Sequence, residues 1–210
     1  MNLQRHLHRQ KHHLHLQNQL VNRKVKPCDV FINHRGTDTK RTLVTLLYDH
    51  LTRFNLRPFL DNKDMKPGDK LFDHINGAIK NCKLGVAVFS PNYCNSYFCL
   101  HELALFMESK KKVIPIFCDI KPSELRVANN GVCPGEDVLR FNQALEEAKN
   151  TVGLTFDSLK GNWSEVVNKA SDTIIGNLIE IENRERIHRR RIELPCQILR
   201  NSKLVNFLSY

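Results

Sequence analysis

Between residues 27 and 181, short and almost wholly apolar runs alternate with longer segments of helical period, and this rhythm narrows the available folds more than any other feature of the chain. The runs 28–32, 57–60, 84–89, 113–118 and 151–156 read as five strands. The third, Leu-Gly-Val-Ala-Val-Phe, has no polar position at all, as expected of a strand covered on both faces. Pro115 in the fourth run belongs where one backbone amide need not pair. Helices are expected over 38–53 with Asp38 as cap, 69–80 with Asp69 as cap, 136–149 and 163–181. Another follows Ser96, with Leu100, Leu103, Ala104 and Met107 at helical spacing and three lysines, 110–112, at its carboxyl end. Strands joined by helical crossovers pair in parallel, which gives an α/β three-layer sandwich of flavodoxin-like order 2-1-3-4-5. Ligands of such sheets sit beyond the carboxyl ends of the strands, where the order reverses between the first and third. The expected site is therefore built from residues 33–36, the loop after Leu60, and Ser90 onward.

A formal net charge of +10 points to nucleic acid until it is divided along the chain. Residues 1–26 hold six Lys or Arg and no acid, and residues 184–210 hold seven against two, which leaves residues 27–183 at −1. The organisation expected is a basic, His-rich, disordered extension over 1–26, a folded domain over 27–183 and a basic tail over 184–210. Basic ends on a nearly neutral domain argue against nucleic acid as the principal partner. Phosphate-dominated binding through the ends is the corresponding alternative function, and it should vanish with them. No apolar run approaches the roughly 20 residues of a membrane helix, so no membrane is expected. Seven cysteines, an odd and scattered set without a C-x-x-C pair or an apolar leader, fit a reducing compartment: the cytoplasm, with the nucleus as a second location. Cys94, Cys99 and His101 lack metal-site spacing, and no metal is expected.

Four ordered segments carry a family resemblance. CDVFINHRGTDTKRT resembles the opening strand and loop of plant Toll/interleukin-1 receptor (TIR) domains, and FLDNKDMKPGDKL resembles their second strand and following loop. VFSPNYCNSYFCLHELALF resembles their third strand and catalytic helix, and IPIFCDIKPSELR their fourth strand and the motif after it. With no nucleotide-binding or leucine-rich repeat segment following, the chain resembles the TIR-only proteins of grasses. The resemblance implies cleavage of NAD+ at the nicotinamide glycosidic bond, with cyclic ADP-ribose isomers among the products and NADP+ as a second dinucleotide. It implies no bound cofactor. It also implies self-association, contact with other TIR-containing immune receptors, and a role in plant immune and cell-death signalling.

Glu102 matches the catalytic glutamate of these relatives, four residues after Phe98 and so on the same helix face. The departing nicotinamide is neutral and needs no proton, so one carboxylate near the ribose suffices where a glycosidase usually needs two. Glu102 would hold ribose hydroxyls and stabilise developing positive charge, and Phe98, Trp in most relatives, would stack on a flat ring with a smaller face. Read alone, the plainer roles are a core residue for Phe98 and a solvated acid of a first helical turn for Glu102, and it is the resemblance that turns the reading to function. The resemblance further assigns His34, Arg35, Gly36, Asp61, Ser90 and Cys99 to the substrate. An arginine holds phosphate or ribose oxygens and a glycine admits close approach of backbone, although surface cation and turn glycine are the plainer roles. Residues 62–69, with Lys63 and Lys66, match the loop that gates the pocket in relatives. A second alternative function keeps the fold and drops the chemistry: a catalytically weak or silent TIR module that only pairs with other domains.

Overall fold

The computed structural model describes residues 28–60, 70–127 and 135–205, with side chains as far as residue 191. Five parallel strands, β1 (Val30–His34), β2 (Pro58–Phe59), β3 (Leu84–Phe89), β4 (Lys112–Cys118) and β5 (Leu154–Phe156), form one sheet in the order 2-1-3-4-5. The helices are α1 (Gly36–Thr39), α2 (Leu43–Arg53), α3 (Leu71–Asn81), α4 (Tyr97–Glu108), α5 (Gly135–Lys149) and α6 (Trp163–Val205).

Strand residues alternate between two cores, which is why the runs carry no polar face. Val30, Ile32, Val86, Val88, Ile114 and Ile116 pack with Leu43, Leu47 and Leu51 of α2 and Ala170, Ile174 and Leu178 of α6. Phe31, Ala87, Phe89, Val113 and Phe117 face Ile75 and Ile79 of α3, Leu100, Leu103 and Phe106 of α4, and Phe141 and Leu145 of α5. Helix α4 is buried at Cys99, Leu100, Glu102, Leu103, Ala104 and Phe106, so an acid sits inside it among apolar neighbours. As expected, Ser96 caps α4, its hydroxyl accepting the Cys99 amide at 3.4 Å.

The runs 57–60 and 151–156 are strand only over Pro58–Phe59 and Leu154–Phe156, and three other differences from the sequence reading are larger. β1 extends through Asn33 and His34, which pair with Ala87 and Val88 of β3 instead of turning. The segment 38–53 is two helices, and Asp38 caps neither: its carboxylate accepts from Ser90 Oγ at 2.7 Å, the Asn92 amide at 3.0 Å and Asn92 Nδ2 at 3.2 Å. The short helix α1 is thereby tied to the loop after β3. Burial pulls the Asp38 pKa up, but the Ser90, Asn92 and Thr37 donors outweigh it and hold the carboxyl below its ordinary value. Helix α6 runs past residue 181 to Val205. Ion pairs Arg184–Glu180 and Arg189–Glu185, each four residues apart, support the continuation, and Glu182 meets the largely buried Lys83 at the foot of the sheet. Pro115 pairs with Ala87 of β3 and lies one residue before β5 joins β4 at Ile116, so its missing amide precedes that part of the ladder.

Candidate functional site

The carboxyl end of β1 delivers two polar residues into the sandwich. Asn33 has no exposed surface and His34 is 8% exposed. A buried amide must find partners, and those of Asn33 come from α4 and the turn before it. Asn33 Nδ2 donates to Glu102 Oε2 at 2.7 Å and to the Cys99 carbonyl at 3.0 Å, while Asn33 Oδ1 accepts the Tyr93 hydroxyl. The Tyr93 hydroxyl also lies 3.1 Å from the Cys99 carbonyl, and the Cys99 thiol donates to the His34 carbonyl at 3.3 Å. Burial above all, with the Glu102 carboxylate adding to it, pushes the Tyr93 pKa far up, so this phenol stays neutral.

Glu102 and Phe98 both open on a cleft of about 640 Å³, a volume within the usual range for small-molecule sites. His34 lines it from the end of β1, Arg35 and Gly36 from the junction with α1, Leu71 and Ile75 from α3, and Ser96 and Cys99 from the start of α4. Phe98 is 40% exposed and lies at a 34° tilt to Phe72 with ring centroids 5.3 Å apart. Behind this aromatic pair, His101 donates from Nε2 to Asn76 Oδ1 at 3.2 Å and accepts Arg140 Nη1 on Nδ1 at 3.2 Å. Burial, then Arg140, lowers the His101 pKa, consistent with this neutral tautomer joining α3, α4 and α5.

Of the residues singled out from the sequence, His34, Arg35, Gly36, Phe98, Cys99 and Glu102 come together in this cleft. Ser90 does not. It is 1% exposed, its hydroxyl is engaged by Asp38, and it lines a separate hollow of about 130 Å³ with Asp119, Ser158 and Trp163. Asp61 and residues 62–69 lie outside the described residues. Residue 33 was expected at the site as part of the turn after the first strand, but it lies behind the cleft, and its hold on Glu102 went unread; sequence reasoning also missed Tyr93, which holds the start of the same helix, and Lys40 and Arg41, which add two cations to the lining. A polar residue at the end of an apolar run was the one signal for Asn33, and Tyr93 gave none.

Chemically, the cleft joins one buried carboxylate, one exposed aromatic face four residues away, and the cations Arg35, Lys40 and Arg41. Arg35 Nε is buried without a hydrogen-bond partner among the described residues. That set suits a ligand with a flat ring, a sugar able to carry positive charge, and phosphate oxygens. Among the described residues no group of three His, Cys, Asp or Glu is placed to hold a metal ion, and no helix is long and apolar enough to cross a membrane.

A family model described as the TIR domain matches residues 28–190. The chain belongs to the TIR domain family. Among TIR proteins it is 51% identical over 162 residues to a protein of Brachypodium distachyon named probable 2′ cyclic ADP-D-ribose synthase BdTIR, covering 75% of this chain and 72% of that one. TMV resistance protein N of Nicotiana glutinosa is 31% identical over 169 residues, 73% of this chain and 15% of that much longer protein. Among solved structures, the TIR domains of the activated Roq1 resistosome superpose with a TM-score of 0.61 at 30% identity, over 70% of this chain and 99% of that one. The TIR resemblance and the strand order read from the sequence both hold.

Proposed function

We propose that this TIR domain is an NAD+ nucleosidase that breaks the bond between the ribose C1′ and the nicotinamide nitrogen, acting in plant immune and cell-death signalling as a self-associated domain. The observation that carries the reading is the buried Glu102 carboxylate, 8% exposed and gripped by Asn33, opening with Phe98 on one cation-lined cleft. The electron pair of the breaking bond leaves with nicotinamide, which becomes neutral. The ribosyl cation is then captured either by water or by a hydroxyl of the same molecule, and the attacking oxygen releases its proton to solvent. Glu102 acts on the cation: a fixed carboxylate in a largely dry site stabilises positive charge far better than water does. The name of the Brachypodium relative supports the cyclising outcome, and the Roq1 TIR domains support self-association. Arg35, with its unmatched Nε, is assigned to the phosphates, and NADP+ is the second dinucleotide such cations would accept. The buried thiols Cys28, Cys82, Cys94, Cys99 and Cys118 support a cytoplasmic or nuclear setting.

The test is nicotinamide release from NAD+ by purified protein over a range of concentrations, with product masses recorded. Release should rise faster than linearly with protein concentration. Arg35→Ala should raise KM about tenfold, the loss of one charge-assisted hydrogen bond, with a smaller change in kcat. Wild-type protein that stays silent at the highest concentration leaves only the interaction-module reading.

A further inference from the structure

We infer that Asn33 is a positioning residue for the Glu102 carboxylate, acting as a one-way amide clamp whose direction is fixed by the acceptors it faces. The inference rests on the NAD+ reading above and adds a residue to its machinery.

The direction of the amide follows from its neighbours. On the nitrogen side of Asn33 lie two acceptors, Glu102 Oε2 at 2.7 Å and the Cys99 carbonyl at 3.0 Å, and on the oxygen side lies the Tyr93 hydroxyl. Turning the amide over would set its oxygen against both acceptors, so one orientation alone satisfies every group. The two acceptors fix Nδ2 as the donor, and Tyr93, with no exposed surface and its phenol kept neutral, is able to donate to the Oδ1 left on the other side. Asn33 itself sits in the β1–β3 ladder opposite Ala87, so its backbone cannot drift. The clamp therefore transmits the position of the central sheet to one carboxylate oxygen on α4.

A carboxylate on a flexible side chain has several rotamers, and only those that face the sugar stabilise the transition state. Holding one oxygen by a short N–H···O⁻ bond removes that freedom before substrate arrives. Nothing in the geometry brings Asn33 to the substrate, so its removal acts through Glu102 and falls on kcat more than on KM.

The test uses the full chain and measures nicotinamide release against NAD+ concentration and pH, with thermal melting as a fold check. Asn33→Leu keeps the volume and removes the clamp, so kcat should fall about 100-fold with KM within about threefold of wild type. Asn33→Asp is the sharper variant, nearly isosteric with the native residue. At neutral pH it sets two carboxylates against each other. As the pH falls the pair takes up a shared proton, which lets the introduced carboxyl group donate to Glu102 as the amide did. Its activity relative to wild type should therefore recover several-fold between about pH 8 and pH 5.5, a range over which carboxylate pairs commonly titrate.

If wild type and Asn33→Leu have equal kcat while Glu102→Ala is dead, the clamp is wrong and the NAD+ reading stands. If Asn33→Asp is depressed by the same factor at every pH, the residue is structural only and the clamp is again wrong. If wild type is as silent as Glu102→Ala, the NAD+ reading has failed and takes the clamp with it.

Discussion

Glu102→Ala is expected to remove nicotinamide release almost entirely, by about 10³-fold in kcat, the scale of losing a dedicated electrostatic group at a developing charge. The deletion also strips Asn33 Nδ2 of its carboxylate partner in a buried place, at a cost of about 1–3 kcal/mol. An inactive alanine variant alone would therefore not distinguish lost chemistry from a loosened helix. Glu102→Gln separates the two effects: its amide oxygen still accepts from Asn33 and its volume is unchanged, but it carries no charge. Charge, not shape, is what an oxocarbenium-like centre requires, so the glutamine variant should be nearly as inactive as alanine while melting close to wild type. A glutamine variant that retains a tenth or more of the wild-type kcat, compared by initial rates of nicotinamide release, would assign the chemistry elsewhere. The neighbouring Arg35→Ala variant, affecting KM first, marks the contrast between holding the dinucleotide and stabilising its cleavage.

The parts of the molecule that sequence described well are those governed by local pattern. The run Leu84–Phe89 is β3 to the residue, and Ser96 caps α4, because side-chain period and cap chemistry are short-range. Asn33 and His34 read as a turn because polar residues usually end an apolar run. They remain strand because their partners at Ala87, Val88, Tyr93, Cys99 and Glu102 lie more than 50 positions away in sequence. Asp38 shows the same limit. A helix cap was the local option, but the long-range donors Ser90 and Asn92 took its carboxylate, and Ser90 left the site in the same exchange. At the far end, residues 184–191 read as a tail from their positive charge alone, while spacing of four to Glu180 and Glu185 lets that charge support a helix. The pair proposed for catalysis, Phe98 and Glu102, was legible through the resemblance, and the groups that hold it were not, since buried polar partnerships belong to the tertiary fold.

A large stability effect is expected at Gly85, a position remote from the cleft. A glycine inside a central strand weakens it, so its presence calls for a packing reason. That reason is the ring of Phe106 on α4: a Cβ on Gly85 would fall 2.7, 2.9 and 3.0 Å from three of its carbons. The ring has no room to yield, being fully buried and edge-on to Phe31 at 5.4 Å, with Phe31 stacked on Phe59 at 4.9 Å. Gly→Ala alone would gain about 0.4–1 kcal/mol from a stiffer unfolded chain. Overpacking of this severity costs about 1–3 kcal/mol, so the clash wins for alanine and more clearly for valine. Gly85→Val should lower the melting temperature by about 6–12 °C, on the usual scale of about 2–4 °C per kcal/mol for a chain of this size. Phe106→Leu trims the obstructing ring and should be less damaging beside Gly85→Ala than the two single changes predict, a coupling of about 0.5–3 kcal/mol. Melting temperatures that simply add, or a Gly85→Ala protein more stable than wild type, would show that α4 rides freely over the sheet. Phe106 stands one helical turn beyond Glu102, so a helix lifted here carries the carboxylate away from Asn33, and catalysis should decline in step with the lost packing.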